Sequence, residues 1–526
     1  MKYVKKTFVL FFVAALGLSG CHKESASKGI PTNKLVASTY YQNAAELRAA
    51  TANLYTTPWW SFNENSQGDF IVFVGDLLSG NAVAGNAYGP QFTNFSINTG
   101  FVGLDFGWQS LYDVVAQSNT TMLNIQSYSP TSLGSARTGA IAETKFMRAI
   151  AYFYLVQLWG PVPIVENSTD VVTTPLLHTN IQSDVYKFII NDLHYAIQNL
   201  PATDPQAGRV TKWSAEGLLA KVFLTRSGIT GTRVQADLDS AKYWAGDVAN
   251  NSGLVLFSSY YDAFLTKNNN NSEMLFGLQF TVSPTAGWGT NDVRETCIEG
   301  DPNIDGVGGG GWDGMSITKD LYDQYDPADL RRKATFMLNG DDYPELITAA
   351  NPNGYSMTSV TPYVKKYVDG GPLANNGANI TLMHDDSPNY LLRLSDVYLI
   401  YAEAILGTNA STSDPDALKY FNLIRTRAGV PTKTSLTWQD IFKERRLELA
   451  LEYQFWFDLK RWHDYNPTAA NAFIQAQHRN TFNYTAGTTT ESTVLTGVNP
   501  VYYLPYPAAE VSSDPLLTQT PVAYYK

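Results

Sequence analysis

Residues 437–462 read TWQDIFKERRLELALEYQFWFDLKRW, and their pattern decides the fold. The stretch holds no helix breaker and is dominated by good helix formers, which predicts one continuous helix. At 3.6 residues per turn, Ile441, Leu451, Phe455, Leu459 and Trp462 share a face, and Glu444 and Glu448 fall on that same face. Carboxylates one turn apart in an apolar stripe are costly to bury without cationic partners. Arg445 and Arg446 are adjacent in sequence but point round the helix, so Arg393, Arg425 and Arg427 from neighbouring segments are the better partners. Two carboxylates so placed fit either a catalytic acid–base pair or a buried ion-pair lattice. The lattice is favoured, because structural networks perturb carboxylates without being active sites.

Outward from this stretch, helical patterning recurs around residues 44–50, 107–119, 140–155, 183–200, 212–227, 236–250, 389–406 and 416–428. Alternating small and large residues in 140–155 allow close helix approach, as in tetratricopeptide hairpins. The fold class is therefore mainly α: tetratricopeptide-like antiparallel helix pairs in a superhelical scaffold. An insertion rich in loops and short strands interrupts it. The chain divides into 1–20, 21–34, an N-terminal helical part 35–259 with an aromatic loop 58–106, an insertion 260–388, and a C-terminal helical part with its tail, 389–526. The run Met274-Leu275-Phe276-Gly277-Leu278-Gln279-Phe280 predicts a strand, and the tail from Asn480 reads as loop.

The first residues combine Lys2, Lys5 and Lys6 with an apolar run too short to span a bilayer, which is a secretory signal pattern. Leu18-Ser19-Gly20-Cys21 then reads as a lipobox, with Cys21 lipidated behind a flexible tether 21–34. The formal net charge is −11 before the three signal lysines are removed, which argues against nucleic acid. Only Cys21 and Cys297 are present, so no intrachain disulfide is available once Cys21 carries lipid. Charged residues are scarce at 16%, whereas the chain holds 32 Tyr and 11 Trp, a balance suited to sugar contact.

Several segments, in order, resemble the SusD/RagB family of outer-membrane nutrient-binding lipoproteins. They are Trp108, Tyr112 and Asn119; Glu143-Thr144-Lys145-Phe146-Met147-Arg148-Ala149; Trp159-Gly160-Pro161; Asn271-Ser272-Glu273 with Phe276; and Asp326, Asp329, Arg331 and Arg332. The remainder are Arg393, Asp396 and Tyr401-Ala402-Glu403-Ala404; Asn422, Arg425 and Arg427-Ala428-Gly429; and the ERRLEL and WFDLKRW halves of the opening stretch. The resemblance implies a SusD-like fold and a lipid-anchored protein on the cell surface. That protein binds a glycan without catalysis and caps a SusC-like TonB-dependent transporter. A RagB-like peptide binder and a glycoside hydrolase using paired carboxylates are the alternatives.

Sugar rings present flat C–H faces that stack on aromatic side chains, while their hydroxyls need amide and carboxylate partners. Trp59, Trp60, Asn81 and Tyr88 in the first aromatic loop, and Trp288, Asn291, Asp292 and Trp312 in the second, are the candidate ligand residues. Asp301, Asn303 and Asp305 open like a calcium loop, but the twelfth position is Trp312 and not Glu, which favours a plain turn. The histidines show no zinc spacing, and the sequence calls for no cofactor.

Overall fold

In the computed structural model, residues 36–63, 70–84, 87–281, 304, 315–368, 386–491 and 494–526 are described. Helices α1 (Ala44–Ala52), α2 (Val102–Tyr128), α3 (Ser135–Trp159), α4 (Gln182–Asn199), α5 (Lys212–Arg226) and α6 (Gln235–Asn251) form the N-terminal part. Helices α7 (Leu394–Leu406), α8 (Pro415–Arg427), α9 (Trp438–Glu448), α10 (Phe455–Tyr465) and α11 (Pro467–Ala476) form the C-terminal part. Successive helices pack as hairpins, α2 on α3, α3 on α4, α5 on α6 and α7 on α8, and α6 against α7 joins the two halves. One continuous apolar core runs from Leu54 to Leu517. The mainly helical, tetratricopeptide-like expectation holds.

Polar side chains lock the hairpins as well as apolar ones. Helix α3 is buried on nearly every side from Ala140 to Trp159. Its Arg148 donates to Asp192 of α4 at 2.7 Å and to Asn119 of α2 at 2.6 Å, tying three helices through one guanidinium. Glu143 accepts from Arg209 at 2.6 Å and from the Tyr55 hydroxyl at 3.1 Å. Tyr112 donates to the Pro163 carbonyl at 2.9 Å, and Trp108 meets Trp159 edge-on at 5.1 Å. The motif residues of these helices are framework.

Two strands connect distant parts of the chain. β1 (Met274–Leu278) pairs antiparallel with β2 (Asn389–Arg393), in a register that sets Met274 opposite Arg393. Residues 389–393, expected to begin a helix, are thus a strand, and α7 starts at Leu394 beyond it. Ile304, Met337, Tyr343, Leu346, Tyr355, Met357 and Val368 form a separate small cluster in the inserted region. Short strand pairs Phe336–Met337 with Tyr363–Val364, and Asp342–Tyr343 with Tyr355–Ser356, lie in that region. The tail adds a two-stranded hairpin, Asn483–Thr485 with Thr488–Thr490, where only loop was expected.

The largest departure is in the opening stretch, which is two helices and not one. Helix α9 begins in a capping box: the Thr437 hydroxyl accepts from the Asp440 amide at 3.2 Å, and Asp440 accepts from the Thr437 amide at 2.9 Å. It ends at Glu448. The chain then reverses through Leu449–Gln454 before α10, with Leu451 at φ 60° and Tyr453 at φ 62°. Both are left-handed conformations that are uncommon outside glycine. Local preference favours a continuous helix, so tertiary contacts must impose the break. Asp76 accepts from the Tyr453 amide at 3.0 Å, and the Tyr453 backbone lies directly against Gly75.

A Cβ placed on Gly75 would come within 2.3 Å of the Tyr453 Cα. Gly75→Ala should therefore destabilise the protein by about 1–3 kcal/mol or more, the usual range for overpacking. A chemical denaturation midpoint equal to wild type would contradict this account of the reversal.

Candidate functional site

The paired carboxylates of α9 sit in a closed lattice of charges. Glu448 pairs with Arg393 at 2.7 Å, with Arg331 at 3.1 Å and with Arg427. Glu444 pairs with Arg331 at 2.7 Å and with Arg425 at 2.6 Å. Glu273 holds Arg393 and Arg427, Glu452 holds Arg393 and Lys366, and Asp329 holds Arg331. Carboxylates Glu273, Asp329, Glu444, Glu448 and Glu452 thus face an equal number of cations, Arg331, Lys366, Arg393, Arg425 and Arg427. The three arginines proposed from sequence are all partners. Arg331, Lys366 and Glu452 were not anticipated, and the Asp329-x-Arg331 motif was the only available hint.

Chemistry at this pair is blocked twice. Glu444 and Glu448 are 1% and 0% exposed. Burial alone would raise the Glu448 carboxyl, but Arg427, Arg393 and Arg331 outweigh it and hold the group well below the ordinary carboxylate range. A general acid must carry a proton near working pH, and this group does not. A second lattice lies alongside: Asp396 pairs with Lys221 and Arg445, Asp458 with Arg445 and Arg461, and Glu403 with Arg461 and Arg233.

The first aromatic region is built differently. Trp59 is 1% exposed and donates its Nε1 hydrogen to the Leu54 carbonyl at 2.9 Å. Asn81 is 0% exposed, donates to Asp76 at 3.2 Å and accepts from Arg446 at 2.9 Å. Neither offers a surface in this conformation, and both are engaged in framework contacts. Trp60 is half-buried, and Tyr88 is exposed with its ring stacked 5.5 Å from Phe101. Ala82–Val83 pairs antiparallel with Ser316–Ile317, setting Val83 opposite Ser316. Farther back, the Gln279 amide donates to the Tyr55 carbonyl at 3.1 Å. Described residues on both sides of the second aromatic stretch are therefore fastened to the first.

The sequence matches the model of the SusD family over residues 226–525, and a second model, described as "Starch-binding associating with outer membrane", over residues 39–224. A "SusD-like protein" of Bacteroides ovatus is 35% identical across 99% of both chains. The chain belongs to the SusD family. "SusD-like protein P2" of Formosa agariphila is 27% identical over 87% of this chain and 91% of its own. Among solved structures, one described as being with xylogluco-oligosaccharide is 35% identical, superposes with a TM-score of 0.81, and is covered to 99% by 91% of this chain. A "Laminarin binding SusD-like protein" shares the fold at a TM-score of 0.70 and 24% identity, over 91% of this chain and 100% of that one.

Of the other positions singled out for this SusD-family chain, Trp288, Asn291, Asp292, Trp312 and the calcium-like Asp301, Asn303 and Asp305 lie outside the described residues. So does the lipobox cysteine, Cys21. Among the described residues, no group of three or more His, Cys, Asp or Glu is placed to hold a metal, and no helix is long and apolar enough to cross a membrane.

Glu448→Ala should leave Arg331, Arg393 and Arg427 short of a buried counter-charge and cost about 3–5 kcal/mol. A variant that melts like wild type yet loses function would place Glu448 in an active site. The lattices also set an acid limit. Glu448 and Asp396 are depressed in the fold, and Glu403, after the opposing effect of burial, is lowered by Arg461 and Arg233 to about 2. Each stabilises the fold fully above its unfolded value, about 4 to 4.5, and loses that contribution as pH falls through the folded value. Asp76, raised by burial to about 6, works in the opposite sense and favours the fold at lower pH. Thermal melts should show stability falling between about pH 4.5 and 2, where the lattice carboxylates outnumber Asp76.

Proposed function

We propose that this chain is a cell-surface lipoprotein, anchored through Cys21, that captures oligosaccharides and passes them to a SusC-like TonB-dependent transporter in the outer membrane. It binds and does not cleave. The observation that carries the reading is the antiparallel pairing of Ala82–Val83 with Ser316–Ile317, which fastens the base of one aromatic region to the end of the other. Trp60 and Tyr88 from the first region, with Trp288, Asn291, Asp292 and Trp312 from the second, are the residues assigned to the sugar. Relatives described as starch-binding, as laminarin binding and as being with xylogluco-oligosaccharide support a glycan as the ligand class. Chain composition agrees, with aromatic residues abundant and charged residues few.

Stacking supplies area at little entropy cost, because an aromatic side chain orders only two torsions. Delivery needs a partner, because a lipid anchor holds a protein at the surface and gives no path across the membrane. A lipid tether keeps such a lid close to its transporter and raises its effective concentration there.

Affinity electrophoresis through gels containing xyloglucan, laminarin or starch tests the binding. Retardation in at least one gel is expected, with Tyr88→Ala and Trp288→Ala each reducing it roughly tenfold, or about 1.4 kcal/mol, at unchanged melting temperature. Release of free sugar by the pure protein would overturn the non-catalytic reading, and selection of oligopeptides over every glycan would favour the peptide binder. For the partner, mild detergent extraction and pull-down through a tag at Lys526 should recover a large β-barrel protein. Recovery of the chain alone would count against the delivery role.

A further inference from the structure

A groove of about 540 Å³ opens between α2, the segment after Pro163, and the tail helix Ala508–Ser513. Its walls are largely aliphatic, with Val115, Val165, Val171, Pro175 and Leu177 among them. The chain beside it is apolar and exposed: Val172, next to the lining Val171, is 83% exposed, and Leu176, between the lining Pro175 and Leu177, is 46% exposed. Neither lies in the aromatic loops assigned to the sugar.

One side of the groove carries only negative charge. Gln109, Asp113, Glu510 and Asp514 line that side, and Asp105 stands one turn before Gln109 on the same face of α2. Glu510 of the tail helix meets them, and Gln109 Nε2 donates to Asp105 at 3.2 Å and to Glu510 at 2.9 Å. Asp105, itself only half-buried, shares a side-chain hydrogen bond with Glu510. Among the described residues, no Lys or Arg lines the groove. Burial raises the carboxyls of Asp105 and Asp113, and the Glu510 charge adds to the effect at Asp105. Carboxylates brought together without a cation favour an incoming positive charge.

The groove suits a protein segment better than a sugar. The Trp108 ring is already flanked edge-on by Trp159 at 5.1 Å and by Tyr506 at 5.7 Å, so its face is not a free platform. Aliphatic walls match an aliphatic or aromatic side chain, and the acidic side matches a cationic head one residue away. We propose that this groove docks an extended segment of a partner protein that presents an apolar side chain followed by arginine or lysine. The segment's apolar group fills the space between Val115, Val165 and Leu177. Its cation settles on the acidic side, against Asp113 and Glu510.

Fluorescence anisotropy with labelled peptides tests this on the full chain. The probes carry Leu-Phe-Arg, Leu-Phe-Glu or Ser-Ser-Arg between Gly-Ser flanks. The first should bind saturably, at least tenfold tighter than the other two, and should weaken as salt is raised. The double variant Asp113→Lys, Glu510→Lys should lose at least tenfold in affinity for it, while keeping the wild-type melting temperature and polysaccharide retardation. Retained retardation makes a failure here distinct from a failure of the sugar reading. Absence of binding, or equal binding of the Arg and Glu peptides, overturns the proposal. It also falls if replacing Lys23, Lys28 and Lys34 together by Gln raises peptide affinity, since the chain's own N-terminal residues would then hold the groove. A dimer in sedimentation velocity that the double variant dissociates would place a second copy there and overturn it likewise.

Discussion

Every hydrogen on the Arg393 guanidinium has an acceptor, and the C-terminal half of the protein depends on that saturation. Nε donates to Glu452 at 2.6 Å. Nη1 donates to Glu273 at 2.5 Å, to Glu448 at 2.7 Å and to Ser395. Nη2 donates to the Glu448 carbonyl at 2.6 Å and to Glu452 at 2.8 Å. Arg393 ends β2 and is the N-cap of α7, Glu273 immediately precedes β1, Glu448 closes α9 and Glu452 lies in the reversal. One side chain therefore fixes where a strand ends and where two helices start and stop. A lysine has three donors on a flexible stem and could not serve these acceptors in a planar fork.

The same interaction explains how a sequence with strong helix preference is made to turn. A helix end leaves carbonyls without partners, and in a buried position each must be satisfied. Here the Leu447 carbonyl accepts from Tyr325 at 3.2 Å, that of Glu448 from Arg393 and from Tyr260 at 2.9 Å, and that of Ala450 from Lys366 at 2.6 Å. The Leu451 carbonyl accepts from Tyr367. Cations at these carbonyls also complement the negative end of the α9 dipole. Partners drawn from across the chain offset the unfavourable φ of Leu451 and Tyr453, which neither residue would adopt on local grounds.

Periodicity carried most of the fold because it reports burial. Helices α2 to α6 and α8 were legible in apolar spacing, and the ion lattice was legible because carboxylates in an apolar stripe demand cations. The reversal at Leu449–Gln454 was not, since its causes, Gly75, Asp76, Lys366 and Arg393, are distant in sequence and leave no mark on the stretch itself. The first aromatic region was misjudged for a related reason. Gly and Asn suggested surface loop, yet Phe62, Phe70, Phe73, Leu77 and Phe92 are buried in short helical turns packed on α2 and α10. An aromatic residue in a glycine-rich stretch has two uses, to bind or to anchor. Composition cannot separate them; Trp59 anchors, and Tyr88 lies exposed.

This division bears on where specificity resides. The lattice residues are mutually neutralising and, apart from the partly exposed Arg425, largely buried, so altering the buried ones changes stability before it changes a surface. Tyr88, by contrast, is exposed and stacks on Phe101 at the edge of that framework. A fold with these two layers can keep its interior fixed while its surface is rebuilt. The motifs that identify the chain, Glu444-Arg445-Arg446 and Tyr401-Ala402-Glu403 among them, belong to the buried layer.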